Sequence, residues 1–584
     1  MTSIIAPAAY RRPRRPHPTR ASQALFEAKA TAFRLRRSLT EFGRTPPKLA
    51  RTQARAAYAT PVASSVTPLW ADPNLSEQAM QLGKVQNLRR AAAHLDGLVL
   101  APGKVFSFWR HIGRATAARG FANGRMLREG CMMPAVGGGL CQLSNALYDV
   151  ALQSGCRIDE RHAHSFHVPG SAADEGRDAT VAWNYVDLRF ASKIELMLSV
   201  NLTARELIVS LRAVAPEPAD AAAPDAAAPG GAIAAPGEPE VESCAVCDEA
   251  DCAFHEGGAS PGRTPAGRAA YIVDEWWPEF ADHVAAERTA ADVLLTPVLR
   301  RWSAAGFGAA HQSRIPAAMR SLGWRITPPQ GAARRSADAA TTAAIAKALS
   351  RRLALDVTEL TVAQSLLAQL WREGALGGRR IRVLMTRLPV LALQQRLDAF
   401  AEAHPERGTL ADYRAEPWLA EAETEALAAA DEILTPHAEI ASLFGARARL
   451  LDWRRPAAPT RAPTPGDVFA FPGPTVARKG AYELREAARR LGATVRPLGA
   501  ALEGRDFWAG VALDPATAGG GWLDGVRAVV HPALAEAAPR RLLEALAAGV
   551  PVIATAACGL APQPGLTLVP MDDVEALAAA MAAA

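Results

Sequence analysis

Residues 531–555 read HPALAEAAPRRLLEALAAGVPVIAT, and this stretch decides the fold of the C-terminal half. It opens on a short loop, continues into PRRLLEALAAG with apolar residues at helical spacing, and ends in VPVIAT, a run that reads as a buried strand. The alternation continues outward. VFAFPGP is strand-like from Val468, KGAYELREAARRLG reads as a helix, ATVRPLG as the next strand, and RAVVHPAL as the strand leading into the quoted segment. Strands alternating with helices make βαβ units, so residues 456–584 are expected to form an α/β lobe with a parallel sheet. Within it Glu536 and Glu544 stand eight apart, the first in the loop before the helix and the second inside it. Ionised carboxylates only accept hydrogen bonds, so two placed in this way can hold the hydroxyls of a polyol, one those of a sugar and one those of a ribose.

Upstream, residues 268–455 carry the strand-like runs YIVDEWW, DVLLTP, RIRVLMTRLP and DEILTPH among helices, which is the pattern of a second lobe.

At the Glu536 and Glu544 stretch the sequence resembles the group 1 glycosyltransferases of the GT-B fold. Their C-terminal lobe carries a Glu-x7-Glu element ahead of Gly-x-Pro-Val-Ile-Ala-Thr, here Gly549 to Thr555. The resemblance is specific over 467–584 and weaker from 268. It implies an acceptor lobe at 268–455, a donor lobe at 456–584 and a nucleotide-sugar donor, with Glu536 on the sugar and Glu544 on the ribose. By the same resemblance Lys479, before Gly480, meets the donor diphosphate, with Arg478 beside it. The family's Gly-Arg pair upstream of that lysine is replaced here by Gly473 and Pro474. The implied reaction is a metal-independent sugar transfer in which Lys479, Arg478 and a helix N-terminus stabilise the departing diphosphate. A lobe that only binds or scaffolds is the alternative.

Residues 213–243 are nearly all Ala, Pro, Gly and acids, with no apolar period to form a packed face, and read as a linker. Directly after it, CAVCDEADCAFH at 244–255 supplies Cys244, Cys247, Cys252 and His255 with C-x2-C-x4-C-x2-H spacing. Three thiolates and an imidazole satisfy one tetrahedral Zn²⁺; the same set also suits an iron–sulfur cluster with a His ligand. Such a site would fold an otherwise coreless hinge.

The first folded region is expected at 64–212. Its stretch MPAVGGGLCQLSNALYDVALQS begins at Met133, with three glycines running into a helix whose apolar residues are Leu140, Leu143, Leu147, Val150 and Ala151. Cys141 falls in the first turn, where the helix dipole lowers a thiol's pKa. ERHAHSFHV follows, with His162 and His164 on one face of an expected strand, and GRDATVAWNYVDLRF puts Asp178 at the start of another. Thiol, imidazole and carboxylate in this order suit a nucleophile, a base and its orienting partner. Cys141, His164 and Asp178 are therefore candidate catalytic residues of an acyl-transfer or amide-cleaving enzyme. The bland alternative is a buried Cys beside a structural ion-pair network.

Residues 83–212 as a whole resemble the VanW family, through GKVQNLRRAAAHLDGLVLAPGKVFSFWRHIG, GGGLCQLSNALYDVAL, ERHAHSFHV and RDATVAWNYVDLRF. The family's name, from vancomycin-resistance clusters, implies a link to the cell envelope and no particular reaction.

The chain has 584 residues, 49% of them hydrophobic, enough for several cores. Its expected class is thus multidomain: an α+β VanW-like domain followed by an α/β region of two Rossmann-like lobes. Residues 1–63 form a basic arm, with thirteen Lys and Arg against two Glu in the first sixty positions. Such an arm suits weak contact with anionic membrane. No nucleic-acid-binding motif accompanies it, so no specific nucleic-acid partner is expected. The expected partners are a nucleotide-sugar donor and an envelope or secondary-metabolite acceptor. No run approaches about 18 apolar residues, and no apolar run follows the N-terminal arginines. The expectation is cytoplasmic, with the seven cysteines as thiols or metal ligands.

Overall fold

Leu140, Leu143, Leu147, Val150 and Ala151 turn one face of the helix Leu140–Gln153 into a core, as the helical spacing predicts. Each fully buried leucine there contributes about 1.5–3 kcal/mol relative to exposure. A computed structural model describes residues 19–70, 77–128, 131–164, 176–214, 242–243, 267–298, 302–327, 332–412, 414–515 and 521–584. The chain divides into two units, Met1–Ala266 and Gly267–Ala584. The metal-ligand candidates Cys244, Cys247, Cys252 and His255 lie outside the described residues.

In the first unit an antiparallel sheet runs in the order Thr60–Pro68, Glu206–Ala213, Leu196–Leu202, Leu98–Leu100. The helix Leu140–Gln153 packs on its first two strands and the helix Gln78–Leu95 on the third. A smaller sheet pairs Arg189–Ala191 with Val105–Ser107 and Arg157–Glu160. Arg20–Thr40, within the basic arm, is helical, and its Arg37 meets both carboxylate oxygens of Glu160 at 2.6 Å.

The second unit holds two parallel sheets. The upstream sheet is ordered Ala309–Gln312, Val293–Thr296, Arg268–Ile272, Val357–Ala363, Arg380–Leu384, Glu432–Thr435, Ala448–Leu450. The downstream sheet is ordered Ala512–Leu513, Thr494–Pro497, Val468–Phe471, Val526–His531, Val552–Ala554, Leu566–Leu568. In each, the first strand in sequence lies inside the sheet and the chain winds outward in both directions. This is the doubly wound Rossmann order, and its ligand crevice opens at the carboxyl ends of the strands where the winding reverses. The switch point of the downstream lobe lies between Val468–Phe471 and Val526–His531. Among the described residues no helix is long and apolar enough to cross a membrane.

Candidate functional site

Val526–His531 ends at the switch point, and its last residue, His531, is almost fully buried there. The loop beyond it brings Glu536 back, so that His531 Nε2 lies 2.9 Å from Glu536 Oε2. From the other side of the switch point, the turn after Val468–Phe471 delivers Lys479, whose Nζ is 2.8 Å from the same carboxylate oxygen and 3.0 Å from the carbonyl of Ala535. Gly480 makes this approach possible. It has φ +80°, and a Cβ there would sit 2.2 Å from the Pro532 carbonyl oxygen. Burial alone would raise the Glu536 carboxyl, but the His531 hydrogen bond and the Lys479 charge outweigh it and hold the group well below the usual carboxylate range. Burial keeps His531 below its ordinary value despite Glu536, so the neutral ring donates from Nε2.

Glu544 lies on the helix Arg540–Ala547, exposed, on the wall of a cleft of about 570 Å³ between the two lobes. Trp276, Trp277, Arg454, Arg455 and Arg540 also line that cleft. Arg540 crosses it to form a bidentate pair with the buried Glu279 at 2.6 and 2.7 Å, and its guanidinium lies 5.1 Å from the Trp277 ring and 5.3 Å from the Trp453 ring. His437 Nε2 meets the Glu536 carbonyl at 3.0 Å and Arg396 donates to the Leu534 carbonyl at 3.0 Å, further ties between the lobes. Arg478 is half-buried, and its carbonyl accepts from Leu534 and Ala535. The expected pair Lys479 and Glu536 is thus brought together, with Glu544 along the adjoining helix. Sequence reasoning missed His531, which stands first in the quoted HPALAE stretch, and the aromatic and arginine wall, which no local motif marks.

In the first unit Cys141 is the second residue of Leu140–Gln153 and is partly exposed. The strands expected at His164 and Asp178 are not formed: both residues lie in irregular segments fixed by side-chain bonds. Asp178 Oδ2 accepts from the His164 backbone N–H at 2.6 Å and sits 2.7 Å from His164 Nδ1; its Oδ1 accepts from Arg161 at 2.6 Å. A carboxylate that satisfies the backbone in this way removes the need for a strand partner. The Cys141 sulfur lies 3.9 Å from the Thr180 hydroxyl, on the segment that follows Asp178, and His164 and Cys141 act on one another electrostatically. Burial opposes charge on the sulfur, but His164, the Val181 N–H and the Thr180 hydroxyl bring the thiol below its ordinary value. His164 is correspondingly raised: burial lowers it, and Cys141 and Asp178 more than offset that. Asp178, although buried, is lowered by its bonds to His164 and by the Arg161 charge. His162 points elsewhere, 3.3 Å from Glu160. Among the described residues no group of three or more His, Cys, Asp or Glu is arranged to hold a metal ion.

Residues 83–212 match the family model described as VanW like protein, and residues 510–584 the one described as Glycosyl transferases group 1. Glu536 and Glu544 fall inside the second match; Arg478 and Lys479 precede it. The chain is 34% identical over 126 residues to the vancomycin B-type resistance protein VanW of Enterococcus faecalis, covering 21% of this chain and 46% of that protein. It is also 34% identical over 107 residues to the uncharacterized protein YoaR of Bacillus subtilis, covering 18% of this chain and 35% of that protein. The chain thus spans less than half the length of either relative. Among solved structures, the sucrose-phosphate synthase of Thermosynechococcus elongatus is similar at 14% identity and a TM-score of 0.33, over 54% of this chain and 89% of that one. Anabaena HepE in complex with UDP and glucose is similar at 12% identity and a TM-score of 0.32, over 54% and 89%. Residues 83–212 therefore form a VanW-like domain, and residues 510–584, which match the group 1 glycosyltransferase model, lie within a doubly wound C-terminal lobe.

Proposed function

We propose that residues 267–584 transfer a sugar from a nucleotide-sugar to an acceptor of the cell envelope or of secondary metabolism. The observation that carries this reading is the meeting of Lys479 and Glu536, 2.8 Å apart, at the switch point of the downstream sheet. A cation and a carboxylate held side by side suit a ligand with a diphosphate next to a polyol. Lys479 would exchange Glu536 for phosphate oxygens, and the released carboxylate would accept hydroxyl hydrogen bonds. Glu544, on the cleft wall, would accept from a ribose, and the exposed Trp276 offers a face for a base. In the transfer itself the leaving group is the nucleoside diphosphate, and Lys479 and Arg478 stabilise the negative charge that develops on it. The envelope acceptor is supported by the VanW-like domain on the same chain. The spacing of Cys244, Cys247, Cys252 and His255 supports a structural Zn²⁺ in the segment that precedes this unit, which metal analysis of the purified chain would detect at about one ion per chain.

The test is calorimetry of the full chain against nucleoside diphosphates with each of the common bases, and against their hexose conjugates. Binding of one base family, tighter for the sugar conjugate, is expected. No binding of any of them at millimolar concentration would mean that the lobe scaffolds, and that Pro474 stands where a donor-site residue has been lost.

A further inference from the structure

Cys141, His164 and Asp178 are joined by more than proximity. The segment that carries Asp178 is fastened to the helix that carries Cys141 by two residues one turn along it: Asn145 accepts from the Ala179 N–H at 2.8 Å, and Ser144 donates to the Ala179 carbonyl at 2.5 Å. Arg161 holds the same segment from outside, donating to the Asp178 carbonyl at 2.7 Å. The Thr180 N–H is bonded to the His162 carbonyl at 2.8 Å, which ties the His164 segment to the Asp178 segment. The Asp178 segment is therefore tied both to the helix that carries Cys141 and to the segment that carries His164. That is the support a nucleophile, base and orienter require, and a buried structural thiol does not.

The approach to the sulfur is also built. Gly137 and Gly139 have φ +83° and +90°, a left-handed backbone that other residues adopt at a cost. Gly138 between them passes so close to the neighbouring hairpin that a Cβ would sit 2.3 Å from the Gly124 carbonyl oxygen. This loop starts the helix directly at Leu140, and the Leu140 and Cys141 N–H groups take no acceptor among the described residues. Free amides at the start of a 14-residue helix, next to the thiol, are suited to an oxyanion.

We propose that this cluster is a second catalytic centre, independent of the sugar-transfer site, that moves an acyl group from a carboxylic ester or amide through a thioester on Cys141. In the first step the thiolate sulfur forms a bond to the carbonyl carbon, and the C=O pair moves onto oxygen, toward the Leu140 and Cys141 amides. The pair returns as the bond from carbon to the leaving oxygen or nitrogen breaks, and His164 Nε2 gives that atom its proton. In the second step water or an amine attacks the thioester, His164 takes its proton, and the C–S pair returns to sulfur. Asp178 is a positioning residue: it fixes the tautomer in which Nε2 faces the sulfur. The charged groups around the pair are Asp178 and Arg161, with Asp149 and Arg177 paired two turns further along the helix.

The test uses the full chain and two probes, iodoacetamide and p-nitrophenyl acetate. Alkylation of Cys141, followed by peptide mass mapping across pH 5–10, is expected to reach half its maximum below the ordinary thiol value of about 8.5. His164→Gln is expected to move that midpoint up to the ordinary value. The ester is expected to release nitrophenolate in a burst of about one per chain and to leave an acetyl group on the Cys141 peptide, absent in Cys141→Ser. Asp178→Asn is expected to slow the burst at least tenfold while leaving an alkylatable thiol. A wild-type midpoint at or above 8.5, with no acetyl adduct on Cys141, would overturn the proposal without needing any variant to fold. Nucleotide-sugar binding is a separate readout, so failure here leaves the sugar-transfer reading standing.

Discussion

Lys479 Nζ stands 2.8 Å from Glu536 Oε2, so the cation expected on a donor diphosphate and the carboxylate expected on a donor sugar form one ion pair before any ligand arrives. Each side chain holds the other in place, and His531 donates to the carboxylate from the buried side. A ligand must exchange this internal pairing for its own.

The first prediction follows from that exchange. Glu536→Gln leaves Lys479 without its charged partner, so free nucleoside diphosphate should bind at least as tightly as before. The sugar conjugate should lose on the order of 1.5–3 kcal/mol from the missing charge-assisted hydrogen bonds, or roughly ten- to 150-fold in affinity. Lys479→Met should weaken both ligands. Calorimetry with the two ligands on each variant separates these outcomes, and equal losses for both ligands in Glu536→Gln would remove the assignment of that residue to the sugar.

Glu544 behaves differently because it is exposed on the helix Arg540–Ala547 and forms no ion pair among the described residues. Exposed positions of this kind usually shift stability by less than about 0.5 kcal/mol. Glu544→Ala should therefore melt like the parent chain, yet bind nucleoside diphosphate and its sugar conjugate about ten- to 150-fold more weakly. A variant that melts early would instead mark Glu544 as structural.

The downstream lobe is legible in sequence because each of its central strands is buried on both faces and so appears as a short apolar run: Val468–Phe471, Val526–His531 and Val552–Ala554 all fall where VFAF, VRAVVH and VIA stand. Val357–Ala363 carries no such run. It reads VTELTVA, and its Thr358, Glu359 and Thr361 break the apolar run although the strand lies inside its sheet. The thiol, imidazole and carboxylate could be named from their order in the chain, but not the irregular backbone that joins them, since the bonds that fix it run from Asp178, Asn145 and Ser144 across 14 to 35 positions. Pairs such as Glu279 with Arg540, 261 positions apart, leave no local signal at all.

Gly138 tests how the loop before Cys141 is built. A Cβ there would meet the Gly124 carbonyl oxygen at 2.3 Å and its carbon at 2.5 Å, both backbone atoms that cannot rotate away. Gly138→Ala should cost about 1–3 kcal/mol, as overpacking does elsewhere. The shift should also displace the helix start, so Cys141 in this variant should alkylate with a midpoint nearer the ordinary thiol value. Unchanged stability and an unchanged alkylation profile together would mean that the hairpin yields freely.

The last prediction concerns Glu279 and Arg540. The Glu279 side chain is fully buried and Arg540 is about one-third exposed, so the pair is only partly screened by solvent. Burial raises the Glu279 carboxyl, but the two Arg540 bonds and the backbone N–H of Arg454 outweigh it, and the group titrates below its ordinary value. A carboxylate lowered in the folded state contributes stability that is fully present above its unfolded value, near 4.3. That contribution is lost as the pH falls from there through the folded value. Arg540→Ala removes the partner and leaves a buried carboxylate, which should cost about 3 kcal/mol at pH 7, the low end for breaking a buried pair because Arg540 is partly solvated. Without Arg540, burial dominates and Glu279 titrates above its ordinary value, so the variant should gain stability, relative to the parent, as the pH drops through 5 and Glu279 takes up its proton. The difference between parent and variant should therefore be large at pH 7 and small at pH 3. Urea melts of the two full-length chains at pH 7, 5, 4 and 3 measure this. A difference that stays constant across the series would show that Arg540 acts through its packing against Trp277 and Trp453 and not through its charge.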